Sequence, residues 1–117
     1  MNNFKELKVW QKAIELSVLV YKATKSFPPD ERFGLISQLN RCSSSISSNI
    51  AEGAGRNNPK EFRHFLGIAQ GSCYEMESQL ILSSKIGFLS NEKLTEFETI
   101  INEVNRMLHG LKKSLEK

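Results

Sequence analysis

All three prolines of this 117-residue chain stand at two places, Pro28 with Pro29 and then Pro59. Proline lacks the N–H that a helix interior needs and crowds the preceding turn, so it opens helices and is not carried inside them. The chain is thereby cut into long proline-free segments, with Gly87 as the next break, and each segment repeats apolar residues at spacings of three and four. Before the first break, Leu7, Trp10, Ile14, Tyr21 and Thr24 form one stripe, and Ala13, Leu16, Val20, Ala23 and Phe27 form another. This predicts a helix from about Lys5 to Ser26 that is apolar on more than one face. A second helix follows Pro28 and Pro29, with Asp30 and Glu31 in its first turn, where the positive end of the helix dipole favours acids. Its core stripe is Leu35, Leu39, Cys42, Ile46 and Ile50, and Gly53 with Gly55 is expected to end it.

The third helix has the best-marked start: Asn58 as N-cap, Pro59 in the first turn, and Glu61 three positions after Asn58 in the manner of a capping box. Its stripe of Phe62, Leu66, Ala69, Cys73, Met76, Leu80 and Ser83 runs to a C-cap at Gly87, a length of about 40 Å at the usual rise per residue. The fourth helix opens after Ser90. There Leu94, Phe97, Ile101, Val104, Leu108, Leu111 and Leu115 alternate strictly by three and four, the seam of a long helix packed at a shallow angle. No segment alternates as a strand does. The fold class is all-α, an antiparallel up-down four-helix bundle forming one domain over residues 1–117.

A chain of this length buries only about two thirds of its unfolded surface by itself, which leaves room for help from a partner subunit. Its longest apolar run, Val18 to Tyr21, is four residues, against the roughly 20 that span a bilayer, and residues 1–12 hold no secretory core. Both features point to a cytoplasmic protein with no membrane partner. Cys42 and Cys73 lack CxxC spacing and a second pair, which argues against a disulfide framework or a zinc site and for two small buried residues. Sixteen Lys and Arg against 13 Asp and Glu leave a net charge of +3, which permits an anionic partner without requiring one. The balance is uneven, because residues 1–29 hold five Lys against two Glu, whereas residues 64–111 hold three basic residues against six acidic.

Two features exceed what an isolated bundle needs. The second apolar face of helix 1, with the run Val18, Leu19, Val20, Tyr21, calls for cover from outside the monomer and predicts a homo-oligomer. On helix 2, Gln38, Arg41, Ser45, Asn49, Glu52 and Arg56 repeat at spacings of three and four beside the core stripe. This polar ridge is either a solvated face or a contact surface. If it faces a neighbouring subunit, Arg41 and Arg56 would pair across the interface with acids such as Glu52 or Glu75. Ser43, Ser44, Ser45, Ser47 and Ser48 surround the ridge, and so many mediocre helix formers imply close helix approach or a polar contact.

The stretch from Gln38-Leu39-Asn40-Arg41 to Ser45-Ile46-Ser47-Ser48-Asn49-Ile50-Ala51-Glu52-Gly53, followed by Gly55-Arg56, Glu61-Phe62, Phe65-Leu66, Ala69 and Gly71-Ser72 with Glu75, resembles the 23S ribosomal RNA intervening-sequence protein family. This is also called the S23 or four helix bundle protein family. Leu7 to Ala13, Phe27-Pro28 with Glu31 and Gly34-Leu35, and Gly87-Phe88-Leu89 extend the likeness over nearly the whole chain. The resemblance implies a four-helix bundle that assembles into a homopentameric ring and has no attributed enzymatic activity. A related branch of the family serves diversity-generating retroelements as an accessory protein that associates with a reverse transcriptase and is thought to bind nucleic acid. Ser47 departs from the pattern, standing where many relatives have proline, and allows helix 2 to run straighter there.

Chemistry is sparse elsewhere. Glu61 with His64 is the one Glu-x-x-His pair, where a ferritin-like di-metal site needs two, and Glu61 is already explained as a capping residue. The histidines lack a nucleophile motif around any Ser or Cys, and Gly53-x-Gly55 is not a phosphate-binding Walker loop. The chain is therefore expected to be a non-enzyme without cofactors. For RNA or DNA, the candidate contacts are Lys5, Lys8 and Lys12 on helix 1 and Arg56, Lys60 and Arg63 around the start of helix 3, weak alone but multiplied in a ring. The alternative is a protein–protein scaffold that binds no nucleic acid.

Overall fold

The computed structural model describes residues 3–116, and among these it contains four α-helices, two short 3-10 turns and no strand. The helices are α1 (Lys8–Thr24), α2 (Leu35–Gly55), α3 (Pro59–Lys85) and α4 (Asn91–Ser114). The molecule is 45 Å long and about 20 Å across, so α3, with 27 residues, runs almost its full length. The connections are too short to return the chain along that axis, so consecutive helices run antiparallel. Each helix packs on the next and α1 also packs on α4, which leaves α1 and α3 on one diagonal and α2 and α4 on the other. Leu16, Leu39, Ile46, Ile50, Leu66, Met76, Ile101 and Leu108 fill the centre, fully buried.

The start of α1 departs from expectation. Residues Phe4–Glu6 form a 3-10 turn, Leu7 is extended, and the helix begins at Lys8. Asn3 is the cause: its Oδ1 accepts from the Lys5 N–H at 3.1 Å, a local bond that competes with helix extension. Phe4 is held there edge-on to Trp10, with ring centroids 5.1 Å apart. The start of α2 is likewise displaced, because Pro29–Glu31 form a separate 3-10 turn and the helix starts at Leu35. Asp30 and Glu31 therefore lie outside its first turn. Glu31 still serves it from there, its Oε1 accepting from the Leu35 N–H at 3.2 Å.

The end of α2 corrects the role assigned to its glycines. The helix continues through Gly55, and the residue in left-handed conformation is Asn57, with φ of 57°. Gly53 is needed for packing instead, since a Cβ there would stand 2.8 Å from Phe65 Cβ and 2.9 Å from Phe62 Cδ1. The α2–α3 pair thus approaches more closely than any side chain at 53 would allow. Asn58 caps α3 as expected, its Oδ1 accepting from Glu61 N at 3.0 Å. The far end is a Schellman motif with Gly87 at φ of 88°, Phe88 N donating to Ser83 O at 2.9 Å and Gly87 N to Ser84 O at 3.1 Å. Phe88 then meets Phe27, centroids 5.7 Å apart, tying together the two turns at that end of the bundle. Ser90 caps α4 by accepting from Lys93 N at 3.1 Å.

Candidate functional site

The serines of α2 divide by direction. Ser43 and Ser47 are buried. The Ser17 hydroxyl of α1 donates to the Ser43 carbonyl at 3.0 Å. Ser45 turns to α3, its Oγ 2.9 Å from Ser72 Oγ. Small side chains therefore allow α2 to approach both neighbours closely, while Ser48 remains exposed.

The polar ridge follows the groove between α2 and α3. Gln79 donates from Nε2 to Gln38 Oε1 at 2.9 Å and to Glu75 Oε2 at 3.4 Å. Arg41 lies 3.7 Å from Glu75. Asn49 Nδ2 donates back to Ser45 O at 2.8 Å. Arg56 pairs with Glu52 at 2.8 Å and Glu61 at 3.5 Å, with its guanidinium carbon 5.0 Å from the centre of the Phe65 ring. The pairings expected of Arg41 and Arg56 across an interface are thus made within one chain, because α3 runs alongside and supplies Glu75 and Glu61. These pairs are half exposed, so each contributes about 0–1 kcal/mol.

The basic candidates gather at the end of the bundle where α1 and α3 begin and α2 and α4 finish. Three of the six are engaged. Lys12 pairs with Glu103 at 3.4 Å, Arg56 is held as described, and Arg63 donates to the Leu115 carbonyl at 2.7 Å. Lys5, Lys8 and Lys60 are exposed and have no acid within ion-pair distance among the described residues. The bundle adds cations that the linear sequence hides: the last turn of α4 brings Lys112 and Lys113 to this same end, with Lys112 Nζ donating to Gln70 Oε1 of α3 at 3.1 Å. Their signal in the sequence is the known direction of α4, which must return to where α1 starts.

Cys42 and Cys73 are buried free thiols. Burial, with smaller like-charge contributions, pushes Cys42 up to about 11 and Cys73 up to about 12 from the ordinary value of 9.0. Both are neutral at physiological pH and unsuited to attack as thiolates. Among the described residues no cluster of three His, Cys, Asp or Glu could hold a metal ion, and no helix is long and apolar enough to cross a membrane.

A comparison with curated proteins finds no match. Among solved structures, the chain is similar to a protein of unknown function from the S23 ribosomal protein family of Bacteroides thetaiotaomicron VPI-5482, with a TM-score of 0.83 and 24% sequence identity, covering 90% of this chain and 95% of that one. At that identity the likeness establishes the helical fold. The family model for the 23S rRNA-intervening sequence protein matches residues 5–110. With a match over nearly its whole length, the chain belongs to the 23S rRNA-intervening sequence protein family.

Proposed function

We propose that the protein is a non-enzymatic, homo-oligomeric accessory that binds RNA or DNA through the basic end of its bundle. The observation that carries this reading is the convergence of Lys5, Lys8, Lys60, Lys112 and Lys113 from three sequence segments onto one end. Cations without a base-reading motif suit phosphates, so binding is indifferent to sequence and steeply weakened by salt. Repetition around a symmetry axis multiplies contacts that are weak singly, and the exposed second face of α1 supports such self-association. The role fits a carrier that presents nucleic acid to a catalytic partner of the reverse-transcriptase type in the cytoplasm, with a pentamer as the assembly that the family resemblance favours.

Gel-shift titration with long duplex DNA and with structured RNA at low salt tests the reading. Shifts of both, abolished by salt and weakened by combining Lys5→Gln, Lys8→Gln and Lys60→Gln, are expected. No shift of either would remove nucleic acid from the function and favour a protein-only scaffold.

A further inference from the structure

The turn between α2 and α3 walls an open hollow of about 570 Å³ at the basic end of the bundle, lined by Arg56, Asn58, Lys60, Glu61, His64 and Phe65. That volume lies within the range of small-ligand sites. Asn57, in left-handed conformation, turns the chain there and sets the end of α2 against the first turns of α3. Glu52 and Glu61 hold the Arg56 guanidinium, at 2.8 and 3.5 Å, with its carbon 5.0 Å from the centre of the Phe65 ring. Arg56 therefore offsets Glu61, the one acid of the lining, and is spent on Phe65. The start of α3 contributes little by itself, because Pro59 has no N–H and the Glu61 and Phe62 N–H groups already donate to Asn58. Two side chains stay open. Lys60 and His64, one helical turn apart, are exposed, and neither has an ion-pair partner among the described residues. The His64 ring stands edge-on to Phe65, with centroids 5.5 Å apart and planes at 74°. Packing of this kind leaves at least one face of the outer imidazole uncovered by Phe65.

We infer that this hollow receives one unpaired base of a single-stranded nucleic acid, stacked on His64 beside Phe65, with an adjoining phosphate on Lys60. This rests on the nucleic-acid binding proposed above and names the form of nucleic acid that the site takes. Attraction of phosphates needs only cations, and the other lysines at this end supply them. An aromatic corner beside a free ammonium adds something that a strand with exposed bases can use and a duplex cannot, because stacking and pairing hide the base faces inside a duplex. Every base has a π-face, so the hollow ranks no sequence above another, in keeping with a surface that has no base-reading motif.

The test compares oligothymidylate with an abasic strand of the same length, which carries the same phosphates and no bases, by fluorescence anisotropy at low salt. The native chain should bind the thymidylate strand at least about fivefold more tightly than the abasic one. His64→Ala, at an exposed position and with helicity checked by circular dichroism, should remove that preference, whereas His64→Phe, which keeps a ring there, should retain it. Lys60→Gln should weaken the binding of both strands alike. Equal affinity of the native chain for the two strands, a preference that survives His64→Ala, or one lost equally in His64→Phe would overturn the stacking site while leaving phosphate binding in place. Binding of neither strand would overturn the nucleic-acid reading itself, and the hollow's role with it.

Discussion

At the scale of single residues, the two glycines that close α2 have opposite roles. Gly53 lies against Phe62 and Phe65, where an added Cβ would meet the stiff Phe65 Cβ at 2.8 Å, and the helices must part to admit it. Around Gly55 nothing lies within 4 Å of such an atom. Gly53→Ala should therefore destabilise the fold by about 1–2 kcal/mol, overpacking outweighing the gain in helix propensity, whereas Gly55→Ala should be neutral or stabilise by up to about 1 kcal/mol. Urea denaturation of the pair decides it, and equal effects would mean that the α2–α3 contact is not tight. The buried thiols predict a pH dependence at the same scale. The unfolded chain begins to ionise its cysteines near the ordinary value of 9.0, but the folded chain holds them neutral until about 11 and 12. Stability from the neutral thiols is whole below the unfolded value and is lost as pH rises towards the folded ones. The urea midpoint should fall more steeply between about pH 8.5 and pH 10.5 in the native chain than in Cys42→Ala with Cys73→Ala. Parallel slopes would show that the thiols do not titrate differently in the two states.

At the scale of elements, what the sequence reveals depends on the range of the interaction. The caps of α3 and α4 and the Gly87 stop are legible because cap and capped group lie within a few residues of each other, as Asn58 with Glu61 and Ser90 with Lys93 do. The seam of α4 is legible because its period is long and unbroken. The start of α1 is misread since the Asn3 bond to Lys5 outweighs the propensity of the residues that follow. The function of Gly53 is hidden for another reason: it depends on Phe62 and Phe65, which reach it only after α2 and α3 pair. The same holds for the ridge, where sequence shows the α2 face but not that α3 supplies its partners. Ser47, in the place of a common proline, yields a prediction of this kind. A proline at 47 would take away the helical donor to the Ser43 carbonyl, but that oxygen already accepts from Ser17 of α1 at 3.0 Å. Ser47→Pro should cost about 3 kcal/mol or less in the native background and about 1 kcal/mol more when Ser17→Ala is also present. A double-mutant cycle by chemical denaturation measures the coupling, and a coupling of zero would separate Ser17 from the role.

At the scale of the whole molecule, the net charge of +3 is less informative than where the fold places its components. The sequence locates a basic first half and an acidic stretch from α3 into α4, yet an up-down bundle folds each helix back along the last, so halves of the sequence do not become halves of the surface. What the fold creates is a basic end, to which α4 contributes Lys112 and Lys113 although both follow an acidic segment. If that end meets phosphates, each cation that does so releases a condensed counterion, and the slope of log affinity against log salt drops by about 0.9 for each contact removed from duplex DNA. Lys112→Gln with Lys113→Gln should therefore flatten the slope by up to about 2 and weaken binding alike for unrelated sequences. Arg32→Gln with Lys93→Gln, an equal loss of charge at the opposite end, should leave the slope nearly unchanged. Salt titrations at equal protein concentration, below the point at which self-association changes, give the comparison. Equal slopes in the two double variants would mean that the phosphates respond to total charge and not to the end of the bundle.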